Sequence, residues 1–435
     1  MIPRFKPTLG WREMLALLFP TGRGEVARFE CAFAELMGQR HAIACPYGRT
    51  GLWLLLQALG LKNKEILCPA YTCVVVPHAI VHSGNEPVFI DSQPGDFNMD
   101  LDRARQAVTE KTGAIVATSI FGYPVNLDKL REFRRDFPQV QVIQDCAHSF
   151  AAQWRGQPVQ REGDAAIFGL NISKLITSIF GGMVTTDDDA LASRLRALHA
   201  QSVRPGSWMR SLSRRCYLAA VNVAFWEPIY GMINALERSG LLNRFVKYYD
   251  EGRIDIPADF LTGMTSLQAK IGRRQVERYP AIIARRHAIA AYYHERLSGR
   301  SDLQLPPLVE GATYSHYVLL VDRRADLAMA MRRHGVQLGT LIDYSIPEMA
   351  AYRQRPGNRF ACPVAADFSR RSINLPIAVS LRDAEKICDK LDKALLSQGS
   401  WSPLSMASRR QKQLSEINAT SSLTRAGKKA NRSSW

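Results

Sequence analysis

The sequence predicts an α/β fold with a mostly parallel sheet in a large domain, followed by a smaller α+β C-terminal domain. Three observations carry this expectation. Between about residues 40 and 190, short apolar runs rich in β-branched residues alternate with helical patterns, as strands covered on both faces require. The pattern then changes into an apolar, aromatic stretch at about 203–262, and again into a long helical repeat. The 435 residues, 46% of them apolar, suffice for two or three domains with sizeable cores.

Local signals justify each element. "HAIAC", "EILCPA", "PVFID", "GAIVATSI", "VQVIQD", "AAIFGL" and "GGMVTT" read as strands bounded by Gly, Pro, Asn and Asp. Between them "RTGLWLLLQALG", "VVVPHAIVHSG", "LDRARQAVTE" and "LDKLREFRRDF" read as helices, the first two stopping at Gly60 and Gly84. "ALASRLRALHA" continues as an amphipathic helix. The 203–262 stretch opens with Arg204, Arg210, Arg214 and Arg215 and runs into an apolar segment broken by Pro228. It reads either as a helical hairpin packed on the body or as an amphipathic element against anionic membrane. A long helix follows from "SLQAKIG", with Pro280 its expected break or kink. "HYVLLVD", "LAMAMRRHGVQLGT" and "AEKICDKLDKALL" supply a strand and two helices of the smaller domain. The expected divisions are 1–262, 263–398 and a tail, 399–435. The tail is basic, rich in Ser, Ala and Asn, and too poor in apolar periodicity to offset the entropy of ordering.

Composition narrows the function classes. No run approaches about 18–20 consecutive apolar residues and the N-terminus lacks a signal-peptide pattern, so a cytoplasmic protein is expected. The eight cysteines show neither CxxC pairs nor zinc-ligand spacing, so no metal is expected and reduced, structural cysteines are. The net charge of +17 is inflated by the tail; it suits acidic metabolites, and nucleic acid is not an expected partner.

The chemistry centres on "GLNISKLITSIFGGMV", residues 169–184, where Lys174 stands between an apolar run and a Gly-Gly pair opening the next strand. A lysine in a loop is ordinarily solvated. Covalent chemistry on a carbonyl needs instead an amine kept neutral by burial or by a neighbouring cation. If the carbonyl belongs to pyridoxal 5'-phosphate, the site also needs an acid for the ring nitrogen and a phosphate cradle. Asp145 closes the apolar run "VQVI", where an aspartate is otherwise a turn or cap residue. "CPYGRTGLWLLL" passes through Gly48 and Arg49 into a helix whose first N–H groups can take a phosphate. His148 lies three residues beyond Asp145. The order of parts, phosphate turn then Asp then Lys then Gly-Gly strand, is more specific than any one of them.

With these residues in place the chain resembles the DegT/StrS-type sugar-nucleotide aminotransferases, over nearly all of residues 23–395. The resemblance rests on "VARFECAFAELMGQRHAIAC", "YGRTGLWLLLQALGL", "PAYTCVVVPHAIVHSGNEPVFIDSQPGDFNMD", "IFGYPVNLDKL", "VIQDCAHSFAA", "GDAAIFGLNISK" and "GGMVTTDDDALASRLRALH". It implies an aspartate-aminotransferase-like fold (fold type I) and pyridoxal 5'-phosphate as cofactor. Lys174 would be the residue that binds the cofactor covalently and shuttles the proton. Asp145 would pair with the ring nitrogen, His148 would sit near the ring oxygen, and Gly48 and Arg49 would hold the phosphate. A keto sugar linked to a nucleotide, an amino-acid donor such as glutamate, and a homodimer are implied as partners. Tyr314 and His316 are substrate candidates by position in the family frame.

The departures from the pattern are specific. Cys73 stands where an aromatic residue usually covers the ring, and Gly169 where a serine precedes the lysine by five. Leu261 and Gly263 replace the polar residues of an Asn-x-Arg-Met segment, which leaves Asn171, Ser173 or Arg49 to help with the phosphate. Ile342 and Pro347 stand where histidines are usual, and the 203–262 insert has no counterpart, opening the way to peripheral membrane contact. The alternatives to transamination are a pyridoxal-phosphate dehydration or elimination, and an inactive relative serving as a regulatory or membrane-associated binding protein.

Overall fold

A computed structural model describes residues 1–239 and 252–396. The tail expected at 399–435 and the middle of the insert therefore lie outside the described residues. Every strand and helix expected between 40 and 202 is present. The strands are β1 (His41–Cys45), β2 (Glu65–Pro69), β3 (Glu86–Ile90), β4 (Thr112–Thr118) and β5 (Gln141–Asp145), then a short hairpin of β6 (Gln153–Trp154) and β7 (Gln157–Pro158), and finally β8 (Ala165–Gly169) and β9 (Gly182–Thr186). Two helices precede them, α1 (Trp11–Leu15) and α2 (Glu25–Met37). The connecting helices are α3 (Gly48–Ala58), α4 (Val75–His82), α5 (Leu101–Ala107) and α6 (Leu127–Asp136), with α7 (Asp189–Ser202) after β9.

Seven strands form one sheet in the order β1-β9-β8-β5-β4-β2-β3. All are parallel except β9, which runs antiparallel to both of its neighbours. The carboxyl ends of the other six therefore share one edge, and β9 begins at that edge. Residues on the two faces of the sheet enter two separate apolar clusters, one with Ile66, Val116 and Ile143, the other with Leu67, Ile115 and Val142. Burial on both faces explains why these strands read as continuous apolar runs rather than alternating ones.

Helix ends follow from single side chains. Asp100 accepts from the amides of Asp102 and Arg103 at 3.0 and 3.3 Å, Asn126 from Lys129 at 3.1 Å, and Asp188 from Ala190 and Leu191 at 2.8 and 3.0 Å. Thr265 and Gln268 form a reciprocal capping box that starts the long helix α10 (Ser266–Leu297). Of the break or kink expected at Pro280, the break does not occur: the helix runs through it. Pro280 forfeits one backbone hydrogen bond, whereas Val276, Tyr279, Ile282 and Ile289 are buried on both sides of it, and that packing holds the helix together.

The C-terminal part has β10 (Tyr317–Leu320) paired antiparallel with β11 (Ser372–Leu375), helix α11 (Arg324–Arg333), helix α12 (Pro363–Arg371) and the final helix α13 (Leu381–Leu396). The Tyr71 hydroxyl, just past β2, bonds Ile342 O at 3.1 Å and Ser372 Oγ at 2.8 Å. Asp91, at the end of β3, has a fully buried carboxylate that caps α12 by accepting from the amides of Val364 (3.1 Å) and Ala365 (2.8 Å).

The insert forms helix α8 (Trp208–Ala224) and helix α9 (Glu227–Arg238), with the break just before Pro228. Leu218 of α8 is buried in a cluster with Ala16, Ile172, Ile179, Leu267 and Ile271, against which Tyr217 and Val221 also pack. One face of the insert thus packs on the body, while Trp208, Met209 and Trp226 remain exposed. No helix of the described residues is long and apolar enough to cross a membrane.

Asp91→Ala removes a cap and leaves charge-assisted bonds unmade, so it should cost about 2–3 kcal/mol. Asp91→Asn, which keeps one carbonyl acceptor, should cost less. Urea-unfolding midpoints of the two variants check this ranking.

Candidate active site

The shared carboxyl edge of the sheet collects the residues singled out in the sequence. Gly48 and Arg49 follow β1, Cys73 follows β2, Asp145 ends β5 and Lys174 follows β8. Close backbone packing explains the second glycine of the pair after Lys174. A Cβ on Gly182 would lie 2.4 Å from Gly48 N and from Tyr47 O, and one on Gly48 would lie 3.1 Å from Gly169 Cα. Only glycines let these three segments touch. The loop bearing Lys174 is thereby drawn against the start of α3.

The lysine loop shapes itself. Asn171 Oδ1 accepts from Ser173 N at 3.2 Å and Ser173 Oγ at 2.8 Å, and Lys174 N donates to Asn171 O at 3.1 Å. The ammonium group of Lys174 has no hydrogen-bond partner among the described residues. Burial lowers its pKa from the ordinary value of 10.5; Cys73 and Asp145 oppose the shift without cancelling it. Asp145 is 4% exposed, and burial raises its carboxyl. The Ala147 amide (3.0 Å), the charge of Lys174 and the Thr118 hydroxyl (3.5 Å) pull the other way.

Two histidines complete the cluster. The Phe121 amide donates to His148 Nδ1 at 3.2 Å, so the neutral ring carries its proton on Nε2. Burial holds both His148 and His316 well below 6.5, and Lys174 adds to the effect on each. Their rings lie 5.2 Å apart, and Phe121 stacks on His148 at 5.9 Å. The structure therefore brings Lys174, Asp145, His148 and His316 together, with Cys73 alongside.

Among the described residues the amides of Gly48, Arg49 and Thr50 find no acceptor, and Tyr47 at the helix N-cap supplies no side-chain cap. The Arg49 guanidinium lies over the Tyr47 ring at 5.8 Å and makes no hydrogen bond there. Burial lowers its pKa, opposed by Cys73, Tyr47, Asp255 and Asp259. Three open amides, an arginine without a hydrogen bond among the described residues, a part-buried amine and a buried carboxylate fit pyridoxal 5'-phosphate, offering a candidate cradle, covalent anchor and ring-nitrogen partner.

Some expected positions do other work. The Tyr314 hydroxyl, expected to meet substrate, accepts from Val309 N at 2.9 Å and donates to Val309 O at 3.1 Å, closing its own loop. Arg286, buried in α10, braces that loop by donating to Ser315 O at 2.7 Å. Ser173 spends its hydroxyl proton on Asn171, so Asn171 Nδ2 is the donor this pair still offers. Leu261 and Gly263 pair through their backbones with Arg204, at 2.8 and 2.7 Å. Ile342 is buried with its carbonyl on Tyr71, and Pro347 O accepts from Asn358 at 2.9 Å. Residues missed in the sequence are Thr118, Phe121 and Asp259, which have no local motif. For Asp259 the basic cluster at 204–215 was the available signal.

A part-buried lysine near a buried carboxylate and three open amides, at this edge of such a sheet, is the arrangement that a pyridoxal 5'-phosphate enzyme needs. The chain belongs to the DegT/DnrJ/EryC1/StrS aminotransferase family, whose model matches residues 18–392. It is 30% identical over 274 residues to GDP-perosamine synthase of Caulobacter vibrioides, a match spanning 63% of this chain and 62% of that relative. It is 25% identical over 408 residues to GDP-perosamine synthase of Escherichia coli O157:H7, covering 90% and 98% of the two chains. The aminotransferase TlmJ from Streptoalloteichus hindustanus superposes with a TM-score of 0.72 at 23% identity, over 92% of this chain and 100% of that one.

The depressed pKa of Lys174 sets a sign. In the cofactor-free protein the unfolded chain binds more protons than the folded one between the lowered value and 10.5, so this group's penalty is full below the lowered value and fades as pH rises toward 10.5. Lys174→Met should raise the melting temperature at about pH 7, and the gain should shrink toward about pH 10. Differential scanning calorimetry across pH checks it. At Gly169, a Cβ would meet Lys174 Cε at 3.5 Å and Ala147 Cβ at 3.6 Å, ordinary contact distances. Gly169→Ser should therefore fold normally and hold cofactor about tenfold tighter through one added bond to a charged group, measured by equilibrium dialysis.

Proposed function

We propose that the chain moves an amino group from an amino acid, with glutamate the expected donor, onto the keto carbon of a nucleotide-linked sugar. The observation that carries this reading is the part-buried Lys174, whose amine desolvation drives toward its neutral form near Asp145. When bound, pyridoxal 5'-phosphate supplies an electron sink for the carbon that loses its proton. The rest falls to the protein. The neutral Lys174 Nζ can accept that proton and return it to a neighbouring carbon. Asp145, held beneath the same edge by the Ala147 amide, favours positive charge on a ring nitrogen placed against it. His148 offers an Nε2–H donor within the cluster, and the Gly48–Thr50 amides with Arg49 would orient a phosphate. His316, within electrostatic reach of Lys174, is the better placed of the two substrate candidates.

The GDP-perosamine synthases among the relatives support a sugar nucleotide as acceptor, and lysine at position 174 favours amino transfer over dehydration. We further propose a homodimer working in the cytoplasm, in polysaccharide or secondary-metabolite synthesis. The exposed apolar residues of the insert leave peripheral contact with a membrane surface as part of this reading.

The test is spectroscopic. The purified protein should take up pyridoxal 5'-phosphate with a visible absorbance band, borohydride should fix the cofactor on Lys174, and glutamate should bleach the band. Lys174→Ala should abolish all three. A protein that takes up no cofactor, or whose band is indifferent to every amino donor, refutes the proposal.

A further inference from the structure

Helix α8 of the insert carries two arginines into the protein rather than out to solvent. The side chains of Arg210 and Arg214 are 10% and 14% exposed. Both point at one oxygen of one carboxylate: Arg210 Nη1 lies 2.9 Å and Arg214 Nη2 3.2 Å from Asp259 Oδ2. That carboxylate also accepts the Tyr47 hydroxyl, at 2.7 and 2.8 Å from its two oxygens. Burial and this bond push Tyr47 up to about 12, so the hydroxyl stays a donor. Two guanidinium groups thus share one carboxylate already engaged by a third group. Among the described residues Nε and Nη2 of Arg210 and Nε of Arg214 are buried without any hydrogen-bond partner.

The position of this cluster suggests what would satisfy those donors. Tyr47 immediately precedes the open amides of α3, and Arg214 lies over the Phe180 ring at 4.3 Å, next to the Gly181–Gly182 pair. Arg49 is close enough to feel Asp259. The α3 amides and Arg49 already make a cradle for one phosphate, so the insert arginines are additional. Arginine suits this task, because its planar fork binds phosphate oxygens two at a time. Asp259 keeps the two like charges together while no anion is bound.

We propose that Arg210 and Arg214, bridged by Asp259, form a second anion subsite beside the cofactor cradle, which takes the diphosphate of the nucleotide-linked substrate. The proposal rests on the sugar-nucleotide reading above. It gives the insert a role in substrate recognition. The same chemistry would also serve the cofactor's own phosphate, and the experiment separates the two.

The probes are GDP, UDP and dTDP, titrated calorimetrically at low salt into the cofactor-loaded protein. The proteins are wild type, Arg210→Ala, Arg214→Ala, Arg214→Lys and Asp259→Asn. Cofactor content, melting temperature and bleaching by glutamate are measured on each. At least one nucleoside diphosphate should bind wild type, and each alanine variant should weaken it about tenfold or more, the loss of a charge-assisted bond. Arg214→Lys should retain part of the affinity. Asp259→Asn keeps an acceptor for Tyr47 but frees both guanidinium groups, so it should bind the diphosphate more tightly than wild type. A purely structural ion-pair cluster predicts the opposite sign for Asp259→Asn: weaker binding together with a lower melting temperature. No binding to wild type, or unchanged affinity in both alanine variants, overturns the proposal. So does loss of cofactor with nucleotide affinity intact, which would assign the arginines to the cofactor's phosphate. Nucleotide binding that follows the variants in a protein that glutamate does not bleach would uphold the subsite and refute the amino-transfer reading.

Discussion

The candidate site depends on one close backbone contact, where the first residue of β9 meets the turn before α3. Gly182 can lie against Tyr47 and Gly48 because it has no side chain, and Gly48 approaches Gly169 for the same reason. This contact follows from the reversed direction of β9, which starts at the edge where its six partners end. It closes the lysine loop down onto the N-terminus of a helix. The Lys174 amine and the open amides of α3, far apart in the chain, are thereby held at one edge of the sheet.

Electrostatics then makes the arrangement chemically useful. Burial disfavours charge on Lys174, His148 and His316 alike, and the charge of Lys174 further disfavours charge on the two histidines. Asp145 is the carboxylate set against them. Burial raises its pKa, while an amide, a hydroxyl and the nearby lysine favour the charged form. A cationic ring nitrogen placed beside Asp145 would complete the balance. The apolar wall of Phe121 and the buried core behind it keep this balance away from water, where the same charges would interact weakly.

The insert links the surface to this interior. Its helix α8 is anchored by Leu218 in a small apolar cluster with Ala16, Ile172 and Ile271, and Arg210 and Arg214 of the same helix meet Asp259. The backbone pairing of Arg204 with Leu261 and Gly263 fastens the insert where it meets the body, in the segment whose polar side chains the resemblance led one to expect. The segment carrying Leu261 and Gly263 thus sits beside a helix that carries two largely buried arginines.

The alternation of apolar runs and helical patterns determined the α/β sheet, because strands buried on both faces must be apolar throughout. Lys174, Asp145, Gly48 and Arg49 were legible for a related reason: each stands next to a strand end or a helix start, and in such a sheet those places face one edge. Other features depend on partners distant in the chain. Pro280 reads as a break or kink, and the buried residues on both sides of it keep α10 unbroken. Tyr314 reads as a substrate contact, yet its hydroxyl closes a loop with Val309. Asp259 carries no motif, and its importance comes from Tyr47, 212 positions away, and from two arginines on a helix whose inward face the basic composition does not reveal. Sequence determines what each segment prefers to be, because those preferences are local. Tertiary structure decided which buried charges meet, because that depends on how the segments pack.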